Sequence, residues 1–290
     1  MKKFRFSILA LAALLMLVAC KKHDQFSGYP MHEVPDDWAE IQLHYFEPVN
    51  NIAANYIDSV FLNNQLYSSS RGNGVLTPMN GVPGYGVGRF FGVQSGSVNI
   101  KLYRKDELIY DKNVNLAPGK QDVWGYRLDV EPIVTDNGYP YWSKTPPATS
   151  AGWGSDSVAN VMFVNMLFED NTDHPTVPAT PYPGKLKLQY QDKKLDQWVD
   201  VGDYVGFGET TGRCEVRVRK QDGVITAGSE TITFRLLTES GDIMQYMAAS
   251  GYMNWQYTRD LALGRAYEYI IGGVRTGRSP STSVVTWTSL

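Results

Sequence analysis

Apolar and polar positions alternate along most of this chain. In "SVNIKLYRKD" (97–106), Val98, Ile100 and Leu102 alternate with polar neighbours. In "CEVRVRK" (214–220), Cys214, Val216 and Val218 alternate with Glu215, Arg217 and Arg219. A period of two places one set of side chains on each face of a half-buried strand. Runs of this kind predict strands at 39–46, 57–62, 85–92, 97–103, 107–114 and 121–129. A second series follows at 158–167, 184–191, 203–208, 213–219, 230–238 and 266–273, ending with 283–288. "NN" at 63–64 and "SGS" at 95–97 read as turns. No stretch carries the 3.6-residue period of an amphipathic helix. Many short strands at roughly ten-residue spacing predict an all-β protein built from antiparallel β-sandwiches.

The two series repeat one another. "AEIQLHYF" (39–46) matches "ANVMFVNM" (159–166), each opening its unit. "GSVNIKLYRKD" (96–106) matches "GRCEVRVRKQD" (212–222), glycine for glycine and Asp106 for Asp222. "LAPGKQDVWGY" (116–126) matches "LALGRAYEYII" (261–271), a turn followed by a strand. The period is far too long for a solenoid, so the chain reads as two tandem domains. We place them at 38–130 and 158–290, joined by a Pro-, Gly- and aromatic-rich linker at 131–157. The second unit carries insertions at 170–184 and 239–260.

The N-terminus breaks the strand pattern. Lys2, Lys3 and Arg5 precede an uncharged run of 14 residues, Phe6 to Ala19. That run falls short of the about 20 residues a spanning helix needs and fits a secretory h-region. It ends Leu17-Val18-Ala19-Cys20, which resembles the bacterial lipobox. The resemblance implies a signal peptide at 1–19, cleavage before Cys20, and a lipid anchor of palmitate-type chains on Cys20. Several acyl chains hold a protein at a membrane without a transmembrane helix. Lys21 after the cysteine suggests the outer membrane, with display at the cell surface a weaker expectation. Residues 20–37 then form the lipidated cysteine and its tether, spanning roughly 20–25 Å as a coil.

Charge and cysteine content narrow the chemistry. Residues 1–19 hold three basic residues and no acid, so the 27 basic residues become 24 against 30 acidic ones. A chain of net negative charge with no basic face and no RNA-binding motif is not a nucleic-acid binder. With Cys20 lipidated, Cys214 has no disulfide partner, and its place in the alternation reads as a structural thiol on an inward face. The four histidines, at 23, 32, 44 and 174, lack ligand-like spacing, so no metal or cofactor is expected. Neither paired carboxylates, a Ser/His/Asp order, HExxH, GxSxG nor a phosphate loop is present. "GYGVGRF" (84–90) has the glycines of a nucleotide loop but reads as strand bends. "FEDNTDHP" (168–175) gathers oxygen donors, yet misses calcium-loop spacing and reads as a solvated loop.

Unit one also resembles, along its whole length, the lipoprotein modules catalogued as domain of unknown function 4397. The likeness rests on Ile41–Phe46, "DSVFLNNQLY" (58–67), "GYGVGRFFGV" (84–93), "SGSVNIKLYRKD" (95–106) and "LAPGK" (116–120). Unit two resembles it with the two insertions added. The resemblance implies an Ig-like sandwich on an exported, anchored protein and brings no catalytic residues with it.

Two aromatic clusters remain as candidate binding residues. Tyr139, Tyr141, Trp142 and Trp153 lie in the linker, and Tyr252 and Trp255 lie in the 239–260 insertion. Such side chains stack on sugars or anchor protein partners; the competing reading is that they pack. The expected function is therefore non-enzymatic: a membrane-anchored lipoprotein presenting two sandwiches for adhesion or capture of a protein or glycan. The alternative is an accessory subunit of a cell-envelope assembly, such as a pilus or a nutrient-uptake complex.

Overall fold

The structure is a computed structural model. It describes residues 34–72, 74–83, 90–138, 158–170, 179–193, 195–218, 229–262, 265–277 and 282–289. Cys20, the signal peptide, most of the tether, and 139–157 of the linker lie outside the described residues. Asp36–Leu290 forms one compact unit.

The protein is all-β. Among the described residues the only helical segment is a 3₁₀ turn at Ala53–Asn55, and no helix is long and apolar enough to cross a membrane. The first half runs β1 (Trp38–Tyr45), β2 (Ser59–Leu62), β3 (Gln65–Ser69), β4 (Asn80–Val82), β5 (Phe91–Gln94), β6 (Gly96–Arg104), β7 (Glu107–Leu116), β8 (Gly119–Gly125) and β9 (Ile133–Asp136). The second runs β10 (Val158–Asn165), β11 (Phe168–Asp170), β12 (Thr180–Pro181), β13 (Leu186–Asp192), β14 (Gln197–Val205), β15 (Thr210–Arg217) and β16 (Ser229–Thr238). It ends with β17 (Gln245–Ala248), β18 (Gly251–Asn254), β19 (Gln256–Ala262), β20 (Ala266–Gly272) and β21 (Ser283–Ser289).

Each half folds as a sandwich. One sheet of the first half has the order β4-β1-β8-β9, with β5 also paired to β1; the other has the order β3-β2-β6-β7. The second half repeats this as β15-β10-β20-β21 and β14-β13-β16-β19. The inward positions of facing sheets make one core per half. Ile41, Leu43 and Val123 meet Val60, Ile100 and Leu102 in the first. Val161, Tyr269 and Ile271 meet Leu188, Phe234 and Leu236 in the second.

Most neighbouring strands are antiparallel, as the alternation predicts, but each half holds one parallel pair. β1 runs parallel to β8 from Ala39–Gly119 to Tyr45–Gly125, and β10 runs parallel to β20. Opening and closing strands lie far apart in sequence, so no hairpin forces them to oppose.

The strand order also revises one block of the repeat. β6 lies in the sheet remote from β1, whereas β15 pairs directly with β10. The topological counterpart of β6 is β16, not the strand beginning at Gly212. Alternation and turn residues recur in every strand, so they cannot tell one strand of a sandwich from the next. The other two matched blocks do occupy equivalent places, β1 with β10 and β8 with β20.

β9 falls inside the 131–157 segment read as linker. It pairs with β8 through Gln121–Asp136, Asp122–Thr135, Val123–Val134 and Trp124–Ile133. The strand predicted at 85–92 is described only from residue 90, and β5 occupies 91–94. β14 begins at Gln197, ahead of the predicted 203. In the second half β11 and β12 form a two-stranded sheet in the connection from β10 to β13, and β17 and β18 form another in the connection from β16 to β19. The β17–β18 pair and β12 sit in the stretches read as insertions, while β11 begins just ahead of the first of them at Phe168.

Candidate functional site

Two places gather chemistry. The first is the seam where the outer faces of the β1- and β10-containing sheets meet. Phe46 and Trp124 of the first half pack there against Met162, Val164, Met166, Ile270 and Trp287 of the second. Each side chain removed from water there contributes roughly 1.5–3 kcal/mol. The central strands are consequently buried on both faces, and every residue of β20 is buried.

A polar clasp lies inside this apolar seam. His44 Nε2 is 3.0 Å from Asp122 Oδ1, the ring N–H donating to the carboxylate. Asn137 Nδ2 donates to Asp122 Oδ2 at 2.8 Å and to Glu268 Oε1 at 2.5 Å. Arg213 donates to Glu268 Oε1 at 2.9 Å, to Asn137 Oδ1 at 2.8 Å, and to the carbonyls of Asn137 and Tyr267. His44 stacks on Trp124 at a centroid distance of 4.1 Å and meets Trp287 edge-on. His44, Asp122, Asn137 and Glu268 are fully buried. The clasp joins β1, β8 and the residue after β9 to β15 and β20, so it spans both sandwiches.

His44, Asp122 and Glu268 present donor atoms within 4.8 Å of one another, the spacing of a metal site. The surrounding groups oppose that use. The Asn137 amide N–H groups point at both carboxylates, and the Arg213 guanidinium already supplies the positive charge beside Glu268. A cation there would compete with N–H donors already directed at Asp122 and at Glu268 Oε1 and would sit against the like charge of Arg213. The arrangement is a hydrogen-bonded ion-pair network of the kind that keeps buried charge tolerable.

The second place is the end of the second sandwich where its two added sheets converge. Arg275 fastens them together. Its guanidinium pairs side-on with the Glu169 carboxylate on β11, Nε to Oε2 at 2.7 Å, and its Nη1 donates to the Gln245 carbonyl on β17 at 3.1 Å. The Glu169 hydrogen bonds push the arginine pKa upward. The Arg275 amide bonds the Phe168 carbonyl, and the Met247 amide bonds the Arg275 carbonyl. Tyr182 lies under the guanidinium.

The sequence-chosen residues separate here. Tyr252 on β18 is 53% exposed. Trp255 is buried, belongs to the core of the second sandwich, stacks near Tyr257, and ties its amide to the Met244 carbonyl. Trp255 anchors the β17–β18 hairpin and Tyr252 is displayed by it. Tyr139, Tyr141, Trp142 and Trp153 lie outside the described residues, as does Cys20. Cys214 is partly buried against the core, and burial pushes its thiol pKa up. A cavity in the first sandwich, about 10 Å³ and lined by Leu43, Leu76, Ile100 and Leu102, has room for about one water.

Sequence reasoning passed over the clasp residues and Arg275. A usable signal was present in "IQLHYF" and "AYEYII", where single polar residues interrupt otherwise apolar runs. Strands buried on both faces read as near-continuous apolar runs, so His44 and Glu268 are buried polar groups and not solvent-facing ones.

No family model matches this chain, and no curated protein matches it. Among solved structures it is similar to a leucine-rich repeat protein from Bacteroides thetaiotaomicron VPI-5482, with 8% sequence identity and a TM-score of 0.22. The match covers 84% of this chain and 27% of that one. A likeness at that score carries no argument about fold or function.

Proposed function

We propose that this chain is a non-enzymatic outer-membrane or cell-surface lipoprotein, anchored through Cys20, that captures a protein or glycan ligand at the end of its second sandwich. The observation that carries the reading is the convergence of two added sheets on Arg275, with Tyr252 held exposed on a hairpin whose Trp255 is locked in the core. The sandwich does not need that hairpin. The equivalent connection in the first half, between β6 and β7, is the two-residue turn Lys105–Asp106. Insertions on a repeated scaffold are where function diverges.

Two measurements test the parts separately. With Cys20→Ala, incorporation of an alkyne-labelled fatty acid and retention in the membrane fraction are both expected to vanish; unchanged labelling sinks the anchor. A photo-crosslinking amino acid at position 252 of the full chain, in intact cells, is expected to trap an adduct that the same label at Leu108 does not. The second reading, an accessory subunit of an envelope assembly, is favoured by β7, a ten-residue edge strand with Leu108 exposed on it. An unpaired edge is a template for a neighbour's strand. Adducts from Leu108 together with a stable co-purifying complex decide for that reading.

A further inference from the structure

We infer that the outer face of the β17–β18 hairpin is a docking platform for a neutral sugar ring, with the Tyr252 ring against the sugar's apolar face and the Gln245 and Asn254 amides on its hydroxyls. This rests on the capture reading for its location and adds the chemical class of the ligand.

The register fixes the platform. Gln245 pairs with Asn254, Tyr246 with Met253, Met247 with Tyr252, and Ala248 with Gly251. Alternation then puts Gln245, Asn254, Met247 and Tyr252 on one face and Tyr246 and Met253 on the other. Tyr246 packs against the core of the second sandwich while Met253 beside it stays 46% exposed at the hairpin's rim. On the opposite face Gln245, Tyr252 and Asn254 are all exposed, so that face is the one turned to solvent. Strand spacing and a two-residue step make this four-residue patch roughly 5 by 7 Å, about the footprint of one pyranose.

The chemistry of the patch matches a sugar. Gln245 Nε2 donates to Asn254 Oδ1 at 3.0 Å. That bond fixes both amides and directs an acceptor, Gln245 Oε1, and a donor, Asn254 Nδ2, away from each other. A pair of neighbouring hydroxyls, each both donor and acceptor, complements such a pair of amides. Beside them the exposed tyrosine offers a rigid π face to ring C–H groups, with Met247 as its cross-strand support.

Charge selects among ligands. Ile243 to Thr258 is a run of 16 residues without a charged side chain, in a chain that is 20% charged. The nearest guanidinium, Arg275, is already paired side-on with Glu169. Among the described residues the hairpin carries no cation for a phosphorylated, sulfated or sialylated ligand, whereas a neutral ring whose hydroxyls bond the two amides avoids the cost of burying an unpaired charge. An uncharged, aromatic, amide-bearing surface kept outside the repeated scaffold is thus suited to neutral glycans.

The test uses the full chain in detergent micelles. Saturation-transfer NMR and calorimetric titration are run with neutral hexaoses of glucose, mannose and xylose, and with sialyllactose as the anionic probe. At least one neutral series is expected to saturate, with strongest transfer to ring protons. Tyr252→Ala is expected to weaken it roughly tenfold or more, and Gln245→Ala roughly fivefold. Leu108→Ala should leave it unchanged. The unfolding midpoint of Tyr252→Ala should equal that of the parent, so a loss of binding is not a loss of fold. Absence of binding by every neutral series at millimolar concentration overturns the inference. So does binding that survives Tyr252→Ala, or preference for sialyllactose. If no sugar binds but position 252 still crosslinks to a protein in cells, the ligand class is wrong and the capture reading stands. If neither occurs, both fall.

Discussion

Tyr252 and Trp255, three residues apart, illustrate how position within the fold separates like side chains. Trp255→Ala opens a large hole in a close-packed core and is expected to cost about 3–5 kcal/mol. Tyr252→Ala touches an exposed ring and should stay within about 0.5 kcal/mol; urea denaturation of both variants checks the contrast. The clasp residues make the opposite kind of case. Glu268→Ala leaves Arg213 buried beside a seam that no longer neutralises it, and a loss of about 3–5 kcal/mol is expected by the same measurement. Gly81 is held to glycine by space alone, since a Cβ there would stand 2.7 Å from His44 Nδ1. Glu47 gives a pH dependence. Burial pushes its carboxyl pKa up, against the opposing hydrogen bond from Tyr45 and the charge of Arg104. A carboxyl whose pKa is higher folded than unfolded favours folding while protonated, and that contribution is lost as pH rises through the raised value. Glu47→Gln is therefore expected to match the parent below about pH 4 and to exceed it in urea midpoint at neutral pH. At this scale the sequence exposed residue types but not their surroundings. Tyr252 and Trp255 share one aromatic, uncharged segment, and only the packing around them says which is anchor and which is display.

At the scale of elements, the strands were the most legible part. β6, β7, β10, β13, β16 and β20 all sit on alternating or apolar runs, and the prediction of an all-β sandwich protein is what the structure has. What alternation could not supply was identity and partner. β6 and the strand from Gly212 carry the same grammar yet lie in different sheets, and β9 was hidden in a segment whose composition reads as linker. The turns follow local rules more closely. Lys105 and Asp106 both have positive φ, 51° and 64°, the backbone of a tight hairpin turn that Asn-Gly adopts with least strain. Replacing the pair, K105N with D106G, is expected to raise the urea midpoint slightly, corresponding to a gain in unfolding free energy of up to about 1 kcal/mol. A fall in the midpoint would mean that the native side chains contribute more than the turn geometry admits.

At the scale of the whole molecule, the two sandwiches share a third core at their seam. Separating them would expose Phe46, Trp124, Ile270 and Trp287 to water and strand the charges of Asp122, Glu268 and Arg213. The full chain is therefore expected to unfold in a single calorimetric transition, with equal calorimetric and van't Hoff enthalpies. Glu268→Ala should lower that transition and resolve it into two, and two transitions in the parent protein would falsify the shared core. The repeat and composition alone suggested two tandem modules joined by a Pro-, Gly- and aromatic-rich linker. The seam differs because its polar members occupy the outward positions of β1, β8 and β20, which a single sandwich would leave in water.

The sequence by itself determined whatever depends on near neighbours: strand formation from the period of two, tight turns, and the charge-free run from 243 to 258. Tertiary structure decided which of the two faces of each strand is buried, because that depends on what arrives against it from elsewhere in the chain. A strand pattern states that two faces differ. It does not state that a second sheet covers the polar one, as it does at His44, Asp122 and Glu268, or that a guanidinium from residue 275 gathers β11 and β17, from two separate connections, into one surface.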